Sequence, residues 1–159
     1  MSSRFITTEG YALLQQELTH LWRTLRPEVT RTVAWAASLG DRSENADYQY
    51  NKKKLRDIDR RILYLRKILP QLEPVSYHSE QEGRVFFGAW VQLSHSCNPL
   101  LQCRIVGVDE IYQQKDYISI ASPLAKACLG KAVDDEVRVD TPKGQQIWFI
   151  EAISYQPLT

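Results

Sequence analysis

Two runs of apolar residues at helical spacing, joined by a short polar turn, constrain this chain more than anything else in it. From Tyr11 onward, Leu14, Leu18, Leu21, Leu25, Val29, Val33 and Ala36 recur in steps of three or four, which marks one face of an amphipathic helix. A second run, Leu55, Ile58, Ile62, Leu65, Leu69 and Leu72, is spaced 3, 4, 3, 4, 3, the a/d pattern of a coiled-coil seam. Only about four residues separate the two helices, so they must return antiparallel to one another. Thirty residues per helix predict a rod of roughly 45 Å.

Local signals set the ends. Thr7 or Thr8 can cap the first helix, with Glu9 in its first turn facing the positive end of the dipole. Pro27 interrupts the run, yet the apolar phase continues across it, which predicts a bend and not a stop. Gly40 is expected to end this helix, Ser43 or Asn45 to cap the second, and Pro70 and Pro74 to mark its fraying end. Residues 1–74 therefore read as a helical hairpin and residues 75–82 as a polar linker.

Past residue 82 the apolar period changes from 3.6 to 2. Val85, Phe87, Ala89, Val91 and Leu93 read as one strand, and Leu101, Cys103 and Ile105 as another. Val137 with Val139, and Ile147 with Phe149, mark two more, joined as a hairpin by Thr141-Pro142-Lys143-Gly144. Ser122-Pro123, the run Leu124 to Leu129 and Gly130 supply the cap, first-position proline and terminal glycine of a short helix. The fold class is thus α+β, with an antiparallel two-helix coiled coil followed by a globular domain over residues 83–159, a small antiparallel sheet packed on one short helix.

Composition excludes several classes. At 43% hydrophobic and 25% charged residues the chain sits near globular averages, so wholesale disorder is excluded. No apolar run approaches the roughly 18 residues of a membrane span, and no basic stretch with an apolar core opens the chain, which points to the cytoplasm. Cys97, Cys103 and Cys128 are odd in number and lack CxxC spacing, so they read as reduced thiols packed as small hydrophobes. No Gly-rich phosphate loop, Ser/His/Asp series or Cys/His zinc pattern is present, and no small-molecule ligand is expected. The chain shows no active site of its own, which suits a module acting on a partner. Charge is divided: residues 1–74 hold 13 Lys/Arg against 9 Asp/Glu, and residues 75–159 hold 7 against 10. Two modules with different partners fit that asymmetry.

The turn of the hairpin gathers acids. Asp41, Glu44 and Asp47 lie at the far end of a rod whose next turns are basic. Two carboxylates three positions apart can converge on one hard cation, and Mg²⁺ commonly takes one or two protein carboxylates, completing its shell with water and phosphate. So exposed a tip would hold no metal alone, but it could complete a site inside another protein. From spacing alone, an ordinary solvated turn with an acidic helix start stands beside that reading. Along the second helix Lys52, Lys53, Lys54, Arg56, Arg60, Arg61, Arg66 and Lys67 face only Asp57 and Asp59, a balance of +6 over 16 residues. Such a stripe suits a phosphate backbone, with Tyr48, Tyr50 and Tyr64 available to stack on bases. It equally suits a solvated flank whose long stems shield the seam.

The run Gly40-Asp41-Arg42-Ser43-Glu44-Asn45-Ala46-Asp47-Tyr48 resembles the tip signature of the bacterial Gre transcript-cleavage factors. Gly83-Arg84-Val85-Phe86-Phe87-Gly88-Ala89, Ile105-Val106-Gly107 and Ile118 to Ala127 are similar to the second half of that family. Trp35, Arg42-Ser43 and the basic richness of residues 52–67 are closer to its GreB branch than to its GreA branch. The resemblance implies an FKBP-like C-terminal domain that docks on the rim of the RNA polymerase secondary channel, and a coiled coil that enters the channel. Bacterial RNA polymerase and the nascent RNA 3′ end are the implied partners, with no membrane. Asp41 and Glu44 would help hold the second catalytic Mg²⁺ of the polymerase and orient the attacking water. Lys52, Lys53, Arg56, Arg60 and Arg61 would grip the extruded RNA, and Arg42, Ser43, Asn45, Ser122 and Pro123 would contact the polymerase. Ala121 departs from the acidic residue that GreB-like sequences tend to carry there. The alternative is a regulator that occupies the same channel without promoting cleavage. A free-standing nuclease would need a metal held by two exposed carboxylates alone, which is a poor Mg²⁺ site.

Overall fold

The computed structural model describes residues 4–95 and 98–157. Cys97 lies outside the described residues. Two compact units are present, one built from Tyr11–Leu72 and the other from the residues up to Gly10 together with those from Glu73 on.

The first unit is the expected antiparallel hairpin. Helix α1 (Thr8–His20) runs through a five-residue π turn, Leu21–Leu25, into α2 (Arg26–Ala37). The chain does not stop at Pro27. Proline offers no N–H to the carbonyl four residues back, and its ring would collide with that carbonyl. The ladder widens instead just ahead of it, with Arg26 N–H bonded to Leu21 O five residues back. Helix α3 (Ala46–Ile68) returns, and a 3₁₀ turn over Leu69–Gln71 ends it at Pro70. Leu14, Leu21, Val29 and Ala36 are buried from the first strand of the seam, and Ile58, Ile62, Leu65, Ile68, Leu69 and Leu72 from the second. Two ion pairs pin the helices across the seam: Arg61 grips Glu17 at 2.7 and 2.9 Å, and Arg26 meets Asp59 at 2.6 Å. As part-exposed pairs each is worth well under about 1 kcal/mol, so the seam carries the hairpin.

In the second unit β1 (Phe5–Thr7) pairs in parallel with β2 (Glu73–Val75). The sequence placed residues 4–10 with the helices and 75–82 in a linker, but strand pairing ties the first of these to the start of the second. Of the two threonines, Thr7 is the cap: its hydroxyl accepts from Gly10 N at 3.0 Å. That hydroxyl donates in turn to Glu110 Oε1 at 2.5 Å, while Glu110 Oε2 accepts from Thr7 N at 2.8 Å and Gly107 N at 2.9 Å. Glu110 is wholly buried. A Cβ at Gly10 would run into its carboxylate, which explains the glycine one turn into a helix. Glu9 also reaches beyond its dipole role, pairing with Arg104 at 3.2 Å.

The main sheet has the order β5-β4-β3-β7-β6, with β3 (Trp90–His95), β4 (Asn98–Val106), β5 (Tyr117–Ser119), β6 (Glu136–Thr141) and β7 (Gly144–Ser154). All neighbours are antiparallel except β4 and β5, a parallel pair that the apolar alternation did not reveal. The strand expected from Val85 starts only at Trp90. Gly88, at φ +89°, breaks the extended backbone before it, although Val85 and Ala89 are buried as the alternation required. In β7 the inward face is also displaced. A register shift between Gln92 and Leu93 brings Ile150 opposite Leu93 in the core, leaving Phe149 exposed. Helix α4 (Pro123–Cys128) closes the core through Ala125 and Cys128, capped by Ser122, whose hydroxyl accepts from Ala125 N at 3.2 Å. Burial pushes the Cys103 thiol up to about 12 and the Cys128 thiol up to about 11, as expected of thiols packed as hydrophobes.

Replacing Glu110 with alanine leaves the buried N–H groups of Thr7 and Gly107 without an acceptor. The expected loss in urea-induced unfolding is about 2–4 kcal/mol, and a change below 1 kcal/mol would show that water takes the place of the carboxylate.

Candidate functional site

Helix α2 ends at Ala37, three residues before Gly40, so the connection to α3 is longer than the four residues expected. Gly40 sits at φ +117°, in the left-handed region that favours glycine, and turns the chain out of the helix. The following residues are held by side chains from both helices. Asn45 is the N-cap of α3: its Oδ1 accepts from Tyr48 N at 3.0 Å. Its Nδ2 donates to Ala36 O in the last turn of α2 at 2.7 Å, so one amide joins the end of one helix to the start of the other. Gln49 Nε2, one turn into α3, holds Arg42 O at 2.7 Å. The sequence marked Asn45 as a possible cap. Its cross-turn bond and the part of Gln49 had no signal in spacing or composition.

Asp41 and Glu44 are both exposed on this turn. Asp41 Oδ1 accepts from Ser43 Oγ at 2.8 Å and from Ser43 N at 2.9 Å. The Ser43 hydroxyl, then its N–H, hold the Asp41 carboxyl below the usual carboxylate range. Neither Asp41 nor Glu44 takes part in an ion pair among the described residues. Among the described residues no group of three or more metal-ligating side chains gathers anywhere. Asp41 and Glu44 thus stand as two exposed carboxylates on one turn.

The basic residues divide by their surroundings. Arg61 is committed to Glu17 across the seam, and Arg60 pairs with Asp57 at 3.2 Å. Lys52 and Arg42 lie over the ring of Tyr48 at 5.3 and 5.6 Å. Tyr48 is only 8% exposed, so this ring is spent on packing the turn and is not presented for stacking. Tyr50, at 67% exposure, is presented. Lys53 and Arg56 are exposed with no partner among the described residues, and their three-residue spacing puts them side by side on the face opposite the seam. Ser122 and Pro123 belong to the other unit, where they cap α4.

Two family models match this chain, "Transcription elongation factor, N-terminal" over residues 4–73 and "Transcription elongation factor, GreA/GreB, C-term" over residues 80–155. The chain belongs to the GreA/GreB family of transcription elongation factors. It is 58% identical to transcription elongation factor GreB of Pseudomonas syringae pv. tomato, over 98% of this chain and 99% of that protein. Transcription elongation factor GreB of Pseudomonas putida is 59% identical, over 98% of this chain and 96% of its own length. That of Vibrio cholerae is 55% identical, over 98% of both. The family resemblance read from the tip signature therefore holds over nearly the whole chain, including its GreB character. Among the described residues no helix is long and apolar enough to cross a membrane.

Asn45→Ala removes the cap of α3 and the bond to Ala36 together. A stability loss of about 1–2 kcal/mol is expected in chemical denaturation, and Asn45→Asp, which keeps the cap and loses the amide donor, should fall between the two.

Proposed function

We propose that this protein is a cytoplasmic accessory factor of RNA polymerase, which carries its helical hairpin into the secondary channel and stimulates the polymerase's own hydrolysis of backtracked RNA. The observation that carries this reading is the tip: two exposed carboxylates, Asp41 and Glu44, on a turn braced by Asn45 and Gln49, neither neutralised by an ion pair among the described residues. Membership of a family of elongation factors supplies the process.

In this reading Asp41 and Glu44 share a Mg²⁺ with the polymerase and hold nothing alone. The residues fit that duty, since oxygen ligands of full negative charge suit a hard cation and neither carboxylate is locked into a salt bridge. When bound, the cation supplies charge stabilisation for the attacking and leaving oxygens. Glu44, with its carboxylate uncommitted, would accept a hydrogen bond from the attacking water. Lys53 and Arg56 attract the extruded RNA, with Lys52, Arg60 and Arg61 contributing positive field from positions already engaged within the hairpin. Ser122, Pro123 and Arg42 are proposed to meet the polymerase surface.

Asp41→Asn combined with Glu44→Gln should abolish stimulated cleavage in a stalled elongation complex while binding to polymerase persists. Cleavage that survives the double substitution would refute the reading, and a wild-type protein that binds without stimulating cleavage would make it a non-cleaving regulator of the same channel. Reversing charge at Lys53 and Arg56 is expected to weaken crosslinking of the RNA 3′ segment to α3 severalfold. Unchanged crosslinking would return those residues to the role of a solvated flank.

A further inference from the structure

The two acids of the tip are not held alike. The Glu44 carboxylate has no hydrogen-bond or ion-pair partner among the described residues, whereas Oδ1 of Asp41 receives two hydrogen bonds from Ser43. The Glu44 backbone N–H adds to the hold on that carboxylate. An exposed aspartate on a turn normally samples several rotamers, and bringing it to one orientation costs side-chain entropy. Ser43 meets that cost in advance. The residues around it are pinned as well, Arg42 through its carbonyl by Gln49 and Asn45 through its amide by Ala36, so Ser43 has a fixed backbone from which to act.

The sequence placed Ser43 among the residues that touch the polymerase. Its hydrogen-bond capacity leaves only acceptance for such a contact. A serine hydroxyl has one proton to donate, and here that proton is given to Asp41 at 2.8 Å. Any donation to a partner would have to release the aspartate. We propose that Ser43 is a positioning residue, whose hydroxyl and N–H together hold Oδ1 of Asp41 so that the carboxylate offers Oδ2 alone to the cation. Asp41 is then the fixed ligand that sets where the cation sits relative to the tip, and Glu44 is the mobile one that adapts to it. This inference rests on the cleavage reading above.

The test uses the full-length protein with Ser43→Ala and Ser43→Thr. Alanine removes the hydroxyl donor and leaves the N–H, while threonine keeps both. Three quantities are measured: the maximal cleavage rate of a stalled complex at saturating factor against Mg²⁺, the affinity for polymerase by competition, and the side-chain rotamer distribution of Asp41 from NMR scalar couplings in the isolated protein. Ser43→Ala is expected to lower the maximal rate about fivefold, the size of one hydrogen bond to a positioned group. The half-saturating Mg²⁺ should rise and polymerase affinity should stay as in the wild type. Asp41 should pass from one dominant rotamer to an averaged set. Ser43→Thr should restore all three. A variant that loses affinity at an unchanged maximal rate would make Ser43 a contact residue and overturn the proposal. So would an Asp41 rotamer distribution that ignores the loss of the hydroxyl, and that readout needs no cleavage at all. Full activity in Asp41→Asn would instead sink the cleavage reading itself, with Ser43→Ala still broadening the Asp41 rotamer distribution.

Discussion

One primary amide governs the end of the hairpin. Asn45 accepts from the first turn of α3 and donates to the last turn of α2, and these two bonds close a connection that would otherwise be a flexible polar loop. Two helices with a narrow seam have no third element to fix their ends. Without such a closure the turn would sample many conformations, and two acids within it would have no defined separation. The brace converts Asp41 and Glu44 from a local excess of charge into a pair with a position. The tip also stays polar and solvated, which lets a carboxylate remain charged without the desolvation that burial imposes.

The second unit rests on a different kind of polar contact. Glu110 is wholly buried, and its carboxylate is satisfied by Thr7 and Gly107, so the first turn of α1 begins from a fixed point beside the sheet. Thr7 serves twice, capping the helix through one lone pair of its hydroxyl and donating that hydroxyl's proton to the acid. Charge-assisted bonds of this kind are among the stronger ones a protein makes, and they are directional where an apolar contact is not. The helical unit takes most of its energy from apolar surface, with two ion pairs across its seam and polar groups closing its turn.

Much of this architecture was legible in the residues. The seam positions from Leu14 to Leu72 and the cap of α4 follow from periodicity and from side chains that compete for backbone groups, both local properties. What failed was non-local. The pairing of Phe5–Thr7 with Glu73–Val75 joins segments far apart in the chain, and nothing in either short stretch names its partner. The face of β7 was misjudged because a bulge shifts the register, and a period of two cannot survive one extra residue. At the tip, the acids and the cap could be read, but the parts of Ser43 and Gln49 could not, since each depends on a turn geometry that propensity does not specify. Arg61 looked like one more member of a basic stripe until its partner Glu17 appeared 44 residues away.

The wide turn at Leu21–Leu25 has a consequence for how long this hairpin must be. From Leu14 to Ala36 the apolar residues take six steps over 22 residues, close to the rate of about 3.67 residues per turn of an eleven-residue repeat. The extra residue in the π turn belongs to that slower winding. Deleting one residue there would let the ladder close to its regular form with the later seam positions nearly kept. A deletion within α2, where no widened turn absorbs it, would instead rotate everything beyond it by about 100° and draw it back by about 1.5 Å. The carboxylates would survive such a deletion intact and face the wrong way. Chain length in α2 is therefore under the same discipline as the identity of the acids themselves.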